Sequence, residues 1–234
     1  MKDQPLIWSG ESMAQSSSND ANITSDKDDT RTRIKSAARK LIAERGVEAV
    51  STRDIMKEVE ARNSSLLNYY FGSKENLISE LMADIFKYAA QRWEARLQAL
   101  EARGGPKTVR DVVEVIVQEA EWGTDSDSSP TVTRFLMNVF CTRRKSVRSL
   151  ADSVDMSSFN YLLQMITELL PDIPEHTMRQ RLVFFAWYQL ATLSAYEAFL
   201  ADPNEQGSVW IKDDARRNIV DTSVGLLMAP VSSE

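Results

Sequence analysis

The spacing of the apolar residues constrains this chain more than any other feature of its sequence. In the first periodic segment they recur at intervals of three and four, the period of one helix face: Ile34, Ala37, Ala38, Leu41 and Ile42. The same period returns along most of the chain, and no convincing strand-like alternation interrupts it. With only 8 glycines and 7 prolines in 234 residues, breaks are few. The sequence therefore predicts an all-α protein.

The composition, 43% hydrophobic and 26% charged, is that of an ordinary globular protein. No apolar run approaches the roughly 20 residues that cross a bilayer, so no membrane association is expected. Cys141 and His176 are single residues of their types and lie far apart, which disfavours a zinc site or a Cys–His catalytic pair. We predict no enzyme, metal or cofactor, a buried Cys141, an exposed His176 near a helix start, and a cytoplasmic location.

Charge is unevenly distributed along the chain. The net charge is −6, but residues 31–78 carry ten Lys and Arg against six Asp and Glu. This is the only segment with a positive surplus, and such a surplus is where a face that contacts phosphates is expected.

Residues 1–28, rich in Ser, Asn and Asp without an apolar period, predict a disordered tail. Helices are expected over about 30–45, 51–59, 63–70 and 74–102, and then over about 108–121, 131–142, 146–169, 175–201 and 213–228. Gly46 supplies a left-handed stop, Ser51 and Asp54 form a capping box, and Asn63 and Ser73 are N-caps.

Two short helices joined by a tight turn, with another packed behind them, form a helix-turn-helix. The second helix of such a pair enters the major groove of DNA. Its outward side here offers Ser64, Ser65, Asn68 and Tyr69, which donate and accept hydrogen bonds.

The run LNYYFGSKENL, residues 67–77, is an aromatic-rich helix leading into Phe-x-Ser-Lys-Glu-x-Leu. It resembles the DNA-binding domain of TetR-type (tetracycline-repressor-like) transcriptional regulators, and the agreement extends over about 50 residues, roughly a fifth of the chain. The resemblance implies a helix-turn-helix DNA-binding domain at 29–76, followed at 77–234 by a helical ligand-binding and dimerisation domain.

The resemblance also implies which residues contact DNA: Thr52, Arg53, Ser64, Ser65, Asn68, Tyr69, Tyr70 and Lys74. Tyr70 and Lys74 occupy phosphate-contacting positions, and Phe71 matches a buried aromatic residue. The turn departs from the family pattern, because Val59-Glu60-Ala61-Arg62 contains no glycine to adopt a left-handed conformation.

The segment from Leu182 to Leu200 is apolar almost all round. Together with the last helix it predicts a dimeric four-helix bundle, although packing within one monomer remains an alternative. Candidates for lining a pocket for a mid-sized apolar or aromatic effector are Phe135, Asn138, Phe184, Trp187, Tyr188 and Tyr196, which ordinary core packing would also explain.

These features predict a ligand-responsive, sequence-specific transcriptional regulator, a repressor that binds a palindromic double-stranded DNA operator as a homodimer. The alternative is a helical protein–protein interaction dimer with a vestigial DNA-binding domain, which the altered turn favours.

Overall fold

A computed structural model describes residues 14–61, 63, 65–118, 131–143, 156–202, 210 and 212–232, with side chains from residue 29 onward except those of residues 118, 212 and 213. The elements in chain order are α1 (Ala14–Arg45), α2 (Thr52–Glu58), α3 (Leu66–Phe71), α4 (Lys74–Glu101), α5 (Val109–Gln118), α6 (Val132–Thr142), α7 (Ser157–Glu168), α8 (Glu175–Ala201) and α9 (Lys212–Met228). Within these ranges there is no strand, so the all-α prediction is confirmed. None of the described helices is long and apolar enough to span a membrane.

The helix bounds of the C-terminal part agree closely with the predicted ones. Helices α6, α8 and α9 begin within one residue of their predicted starts and end at the predicted residues. The helix predicted over 146–169 is described from Ser157 onward, and residues 144–155 lie outside the described part.

Helix α1 begins earlier than the sequence predicts. It starts at Ala14 instead of Thr30, so residues 14–28, assigned to a disordered tail, continue the helix, while residues 1–13 lie outside the described part. Once a helix exists, each further residue gains a hydrogen bond and fixes only its own backbone. An upstream extension therefore needs no apolar face of its own.

Two hydrophobic cores divide the molecule. The first gathers α1, α2, α3 and the first half of α4, and it includes four residues of α6: Val132, Phe135, Leu136 and Val139. Phe135 is fully buried there, and burial of one such side chain stabilises a fold by about 1.5–3 kcal/mol. Helix α6, although it follows the first domain in sequence, is thus part of that domain's core.

The second core lies between α5, α7, α8, α9 and the second half of α4. Trp93 and Leu97 of α4 are buried in it, as are Ile166 of α7 and Phe185 of α8. Because α4 contributes to both cores, it connects them as one continuous rod.

Cys141 is exposed, so its predicted burial is wrong. Helix α6 buries residues 132, 135, 136 and 139, and Cys141 falls off that face, whereas the prediction considered only the residue type. His176 is exposed in the first turn of α8, as predicted.

The turn between α2 and α3 contains no glycine, and Glu60 adopts the left-handed conformation there, with a φ of 55°. The Ala61 N–H donates to the Met56 carbonyl at 3.0 Å, and the Glu60 N–H donates to the Lys57 carbonyl at 3.1 Å. These two bonds form a Schellman motif, with Glu60 at the position that normally favours glycine. Val59 and Ala61 are residues of this turn that pack against the first core.

We expect Glu60→Gly to raise the free energy of unfolding by about 0.5–1 kcal/mol, because relief of left-handed strain outweighs the added chain entropy. Urea denaturation measures this change. Lys57→Gly, at an exposed helical position of α2, is the matched control and should lose about 1 kcal/mol. A comparable loss in both variants would contradict the assignment of strain to Glu60.

Candidate nucleic-acid interface

The first turn of α2 is fixed by the predicted capping box, which the structure confirms. Ser51 Oγ accepts a hydrogen bond from the Asp54 N–H at 3.2 Å, and Asp54 Oδ2 accepts one from the Ser51 N–H at 2.9 Å. The Ser51 hydroxyl also donates to the Asp54 carboxylate, and this bond, followed by the one from the Ser51 N–H, lowers the pKa of Asp54. Thr52 and Arg53 follow directly and are both exposed on this turn.

Helix α3 begins at Leu66, later than the predicted start at Asn63. The Asn63 side chain accepts hydrogen bonds from the Ser65 N–H at 2.9 Å and from the Ser65 hydroxyl at 2.7 Å. Asn63 therefore closes an Asx turn before the helix instead of capping it. Ser64 lies outside the described residues.

One side of α3 is buried and the other faces outward. Leu67 and Phe71 are in the first core, whereas Ser65, Asn68 and Tyr69 are exposed. The three exposed residues have helical i, i+3 and i+4 spacing, so they share one face. Tyr69 is 67% exposed, which leaves most of its ring available for contact.

Tyr70 is half-buried beneath this face. Its ring meets Tyr69 edge-on, with 5.0 Å between ring centroids, and its carbonyl accepts a hydrogen bond from Arg31 Nη1 at 2.8 Å. Arg31 also lies over the Phe71 ring, 4.5 Å from its centroid, and pairs with Glu80 at 2.5 Å. A single residue of α1 thus holds α3 against α4.

Other cations of α1 are also engaged within the domain. Lys35 pairs with Glu80 at 2.6 Å, Arg33 donates to the Val59 carbonyl at 2.9 Å, and Lys40 pairs with Glu58 at 2.9 Å. Much of the positive surplus counted in the sequence therefore orients the helices.

Lys74 is half-buried at the start of α4, where the Ser73 side chain accepts from the Asn76 N–H at 3.1 Å and caps the helix as predicted. Lys74 Nζ donates to the Val47 carbonyl at 2.6 Å and to the Val50 carbonyl at 2.5 Å. An ammonium group carries three N–H donors, so these bonds use two of them.

Helix α6 is bonded to the end of α1. Asn138 Nδ2 donates to the Ile42 carbonyl at 3.1 Å, which places this predicted pocket residue at a helix–helix contact. Arg143, at the C-terminal end of α6, pairs with Glu48 at 2.9 Å. Near the N-terminal end, Arg39 Nε donates to Thr131 Oγ1 at 3.1 Å.

The N-terminus of α6 is bound by a buried carboxylate from α8. Glu197 accepts hydrogen bonds from the Thr133 N–H at 2.8 Å and from the Arg134 N–H at 2.9 Å. Burial raises the pKa of Glu197, and the two N–H groups offset only part of that increase. Helix α6 is therefore fixed to α8 at its N-terminal end and to α1 through Asn138 at its middle.

A cavity of about 380 Å³ lies between α4, α5, α6, α7 and α8. Its lining is mostly aromatic and aliphatic: Phe86, Trp93, Ile116, Thr133, Leu136, Phe140, Met156, Phe159, Phe185, Ala186, Trp187, Gln189, Leu190 and Leu193. Of the six pocket candidates from the sequence, Trp187 lines this cavity and the other five do not.

Those five lie elsewhere for different reasons. Phe135 faces the first core, and Asn138 bonds α1. Tyr188 hydrogen-bonds the Thr222 hydroxyl, Tyr196 is buried against Trp210, and Phe184 is exposed.

Several lining residues were not anticipated from the sequence, Phe86 and Trp93 on α4 and Phe159 on α7 among them. Their helical spacing is that of ordinary core residues, so periodicity alone carries no signal for them.

The N-terminal domain also matches a known family. Residues 34–81 match the family described as bacterial regulatory proteins, tetR family. The N-terminal domain is a tetR-family domain. The match contains α2, α3, the packed part of α1 and the start of α4, which together carry the interface described above.

Solved structures resemble the chain beyond this tetR-family domain. A protein described as a tetR family transcription regulator from Shewanella sp. PV-4 is 15% identical, with a TM-score of 0.54 over 83% of this chain and 96% of that one. NalD of Pseudomonas aeruginosa, described as the secondary repressor of the MexAB-OprM multidrug efflux pump, is 18% identical with a TM-score of 0.48, over 85% and 95%. The Shewanella likeness shows that the fold is shared over most of the chain. No curated protein matches the sequence.

We expect Glu80→Gln to lower the free energy of unfolding by about 1 kcal/mol at pH 7, because it weakens partly exposed ion pairs with Arg31 and Lys35. Partial burial alone would raise the pKa of Glu80, but Lys35 and Arg31 outweigh it and lower the pKa from its ordinary value of 4.5.

Since the folded pKa is depressed, the stabilisation is present above pH 4.5 and is lost as the pH falls through the folded pKa. The difference between wild type and Glu80→Gln should therefore shrink in acid, as measured by urea denaturation at several pH values. Glu94→Gln, at an exposed position on the same helix, is the control. A difference that stays constant down to pH 3 would contradict the ion-pair explanation.

Proposed function

We propose that this protein is a ligand-responsive transcriptional repressor that binds a palindromic operator as a homodimer. The observation that carries the proposal is the exposed face of α3, with Ser65, Asn68 and Tyr69, held rigidly within a tetR-family domain. Hydroxyl and amide groups at a protruding helix read base edges in the major groove.

The residues flanking α3 suit contacts with the DNA backbone. Thr52 and Arg53 are exposed at the start of α2, where N–H groups and a cation favour phosphate. The third donor of Lys74 and the hydroxyl of Tyr70 would contact phosphate beside them. In this proposal the carbonyl bonds of Lys74 also position its ammonium group.

The proposed dimer uses the exposed side of α8. Val183, Phe184 and Trp187 lie within two turns there, and Phe184 is 57% exposed. Adjacent exposed apolar residues on a soluble protein mark an interaction surface. Helix α9 packs beside α8, so a two-fold axis through this surface would form a four-helix bundle. Such an axis sets two α3 helices about one DNA turn apart.

The proposed effector site is the cavity, because helix α6 carries Leu136 and Phe140 in its lining and Phe135 in the first core. A ligand that prefers another position of α6 would shift the population of the dimer away from the DNA-binding spacing. Repression, as opposed to activation, follows from the resemblance to tetracycline-repressor-like proteins. A cytoplasmic location is proposed because operator DNA would be the target.

The alternative, a helical interaction protein with a vestigial DNA-binding domain, is favoured by the glycine-free turn. The Schellman bonds at Glu60 and Ala61 speak against it, because the turn still brings α2 and α3 together. A gel-shift titration against DNA from the protein's own promoter region decides between them, with random DNA as competitor. A competitor-resistant complex with two chains per site supports the regulator, and binding no tighter than to random DNA supports the alternative.

Two substitutions separate the proposed base contacts from the phosphate contacts. Asn68→Ala should lower operator binding by about 1–3 kcal/mol while leaving random-DNA binding unchanged, because it removes a base contact. Lys74→Ala should weaken both and reduce the slope of log affinity against log salt by about one.

The measurement is fluorescence anisotropy of labelled DNA over a salt series, with Lys107→Ala, at an exposed position beyond α4, as control. Circular dichroism checks folding, since Lys74 also bonds the Val47 and Val50 carbonyls. Wild-type affinity of both variants for both DNAs would show that α3 is not the recognition helix.

Phe184→Glu should convert the protein to a monomer and reduce operator binding at least tenfold, because it places a charge in the proposed apolar interface. Sedimentation velocity measures the oligomeric state. Tyr161→Glu, an equally drastic change at an exposed aromatic residue of α7, should leave the dimer intact. A Phe184→Glu dimer would place the two-fold interface elsewhere.

A further inference from the structure

The residues that line the cavity indicate the chemistry of the ligand that it would bind. We propose that it binds a neutral, largely aromatic molecule with one hydrogen-bond donor, which donates to Oε1 of Gln189. This rests on the proposed function, in which the cavity is the effector site, and adds the chemical class of the effector.

The walls select an apolar, flat molecule. Six of the lining side chains are aromatic: Phe86, Trp93, Phe140, Phe159, Phe185 and Trp187. Aromatic rings favour edge-to-face or offset contacts with another aromatic ring. The volume of about 380 Å³ lies at the lower end of the range of small-molecule sites.

Gln189 supplies one polar contact, and the hydroxyl of Thr133 is a second uncharged polar group of the lining. Its side chain lies in the cavity wall and is only 6% exposed. Its Nε2 donates to the Ser223 hydroxyl oxygen at 2.5 Å, whereas its Oε1 is buried and has no hydrogen-bond partner within the described part of the chain. Buried acceptors are nearly always satisfied, so an unsatisfied one in a cavity wall points to a donor on a ligand.

The orientation of this amide is set by its neighbour. Ser223 Oγ is in short hydrogen-bond contact with the Ile219 carbonyl, and two oxygens so close need a proton between them. A serine hydroxyl has one proton, so it cannot also donate to Gln189 and must accept from it. The NH₂ group therefore faces Ser223, and Oε1 is the amide atom of this lining residue that is left without a protein partner.

The absence of charge among the described lining residues indicates the charge of the ligand. None of the described lining residues is charged, so an anion would find no cation. A cation would leave water for two uncharged groups, the Gln189 amide and the Thr133 hydroxyl, which do not replace its hydration. A neutral ligand avoids both penalties.

The test uses three probes with the same two rings. Biphenyl-4-ol carries one O–H donor, 4-methoxybiphenyl replaces the donor with a methyl ether, and biphenyl-4-carboxylate is the anion. Isothermal titration calorimetry of the wild-type protein should give one biphenyl-4-ol per chain. Its affinity should be at least tenfold that of the ether, and the carboxylate should bind no more tightly than the ether.

Gln189→Met keeps the length of the side chain and removes the amide oxygen. It should abolish the tenfold preference for the alcohol while leaving the ether within about twofold of its wild-type affinity, because the apolar walls are unchanged. Gln180→Met, at an exposed position on the same helix and outside the lining, should keep the preference.

Equal binding of alcohol and ether to wild type, tightest binding of the carboxylate, or a preference that persists in Gln189→Met would each overturn the proposal. The wild-type comparison needs no variant, so a folding defect in Gln189→Met would not prevent the test. Operator binding is titrated separately without probe. Loss of the donor preference with operator binding intact overturns this inference alone, and failed operator binding with the preference intact overturns the regulatory role alone.

Discussion

The burial of helix α6 connects the two halves of this protein. Phe135 and Val139 fill the core beneath the helix-turn-helix, while Leu136 and Phe140 line the cavity. Close-packed interiors respond to volume changes by discrete shifts of whole elements. Glu197 binds one end of α6 and Asn138 bonds its middle to α1, so in the proposed function a shift of α6 would be transmitted between the cavity and α1.

Some cations of the N-terminal domain form ion pairs and hydrogen bonds within the domain, and others remain exposed. A count of charges in the sequence does not distinguish the two groups. Arg31 and Lys35 of α1 hold α3 and α4 through Glu80, and Lys74 holds the loop before α2. Arg53 remains exposed at the outer surface of α2. In the proposed function, the cations that orient α3 would therefore affect DNA binding through geometry, and specificity would depend on the short polar side chains of α3.

The sequence predicted helix caps and helix ends correctly where the hydrogen bonds that form them join residues close together in the chain. The capping residues Ser51 and Ser73 and the left-handed Gly46 stand as predicted, because each bond joins residues within four positions. The sequence identified the turn at Glu60 as unusual but did not predict its conformation. The absence of a glycine does not indicate which residue adopts the left-handed conformation instead. The exposed side of α3 followed from periodicity, although its first residue did not.

Periodicity and capping are local properties, so the sequence was sufficient to predict the all-helical class, most helix bounds, the tetR-like helix-turn-helix and the outward residues Asn68 and Tyr69. The packing of the helices was needed to show that Phe135 belongs to the first core, that Cys141 is exposed and that Trp187 alone among the pocket candidates lines the cavity. A buried aromatic residue has the same helical spacing whether it faces a core or a cavity. The difference arises from which helices surround it, and that is fixed by packing between segments far apart in the chain.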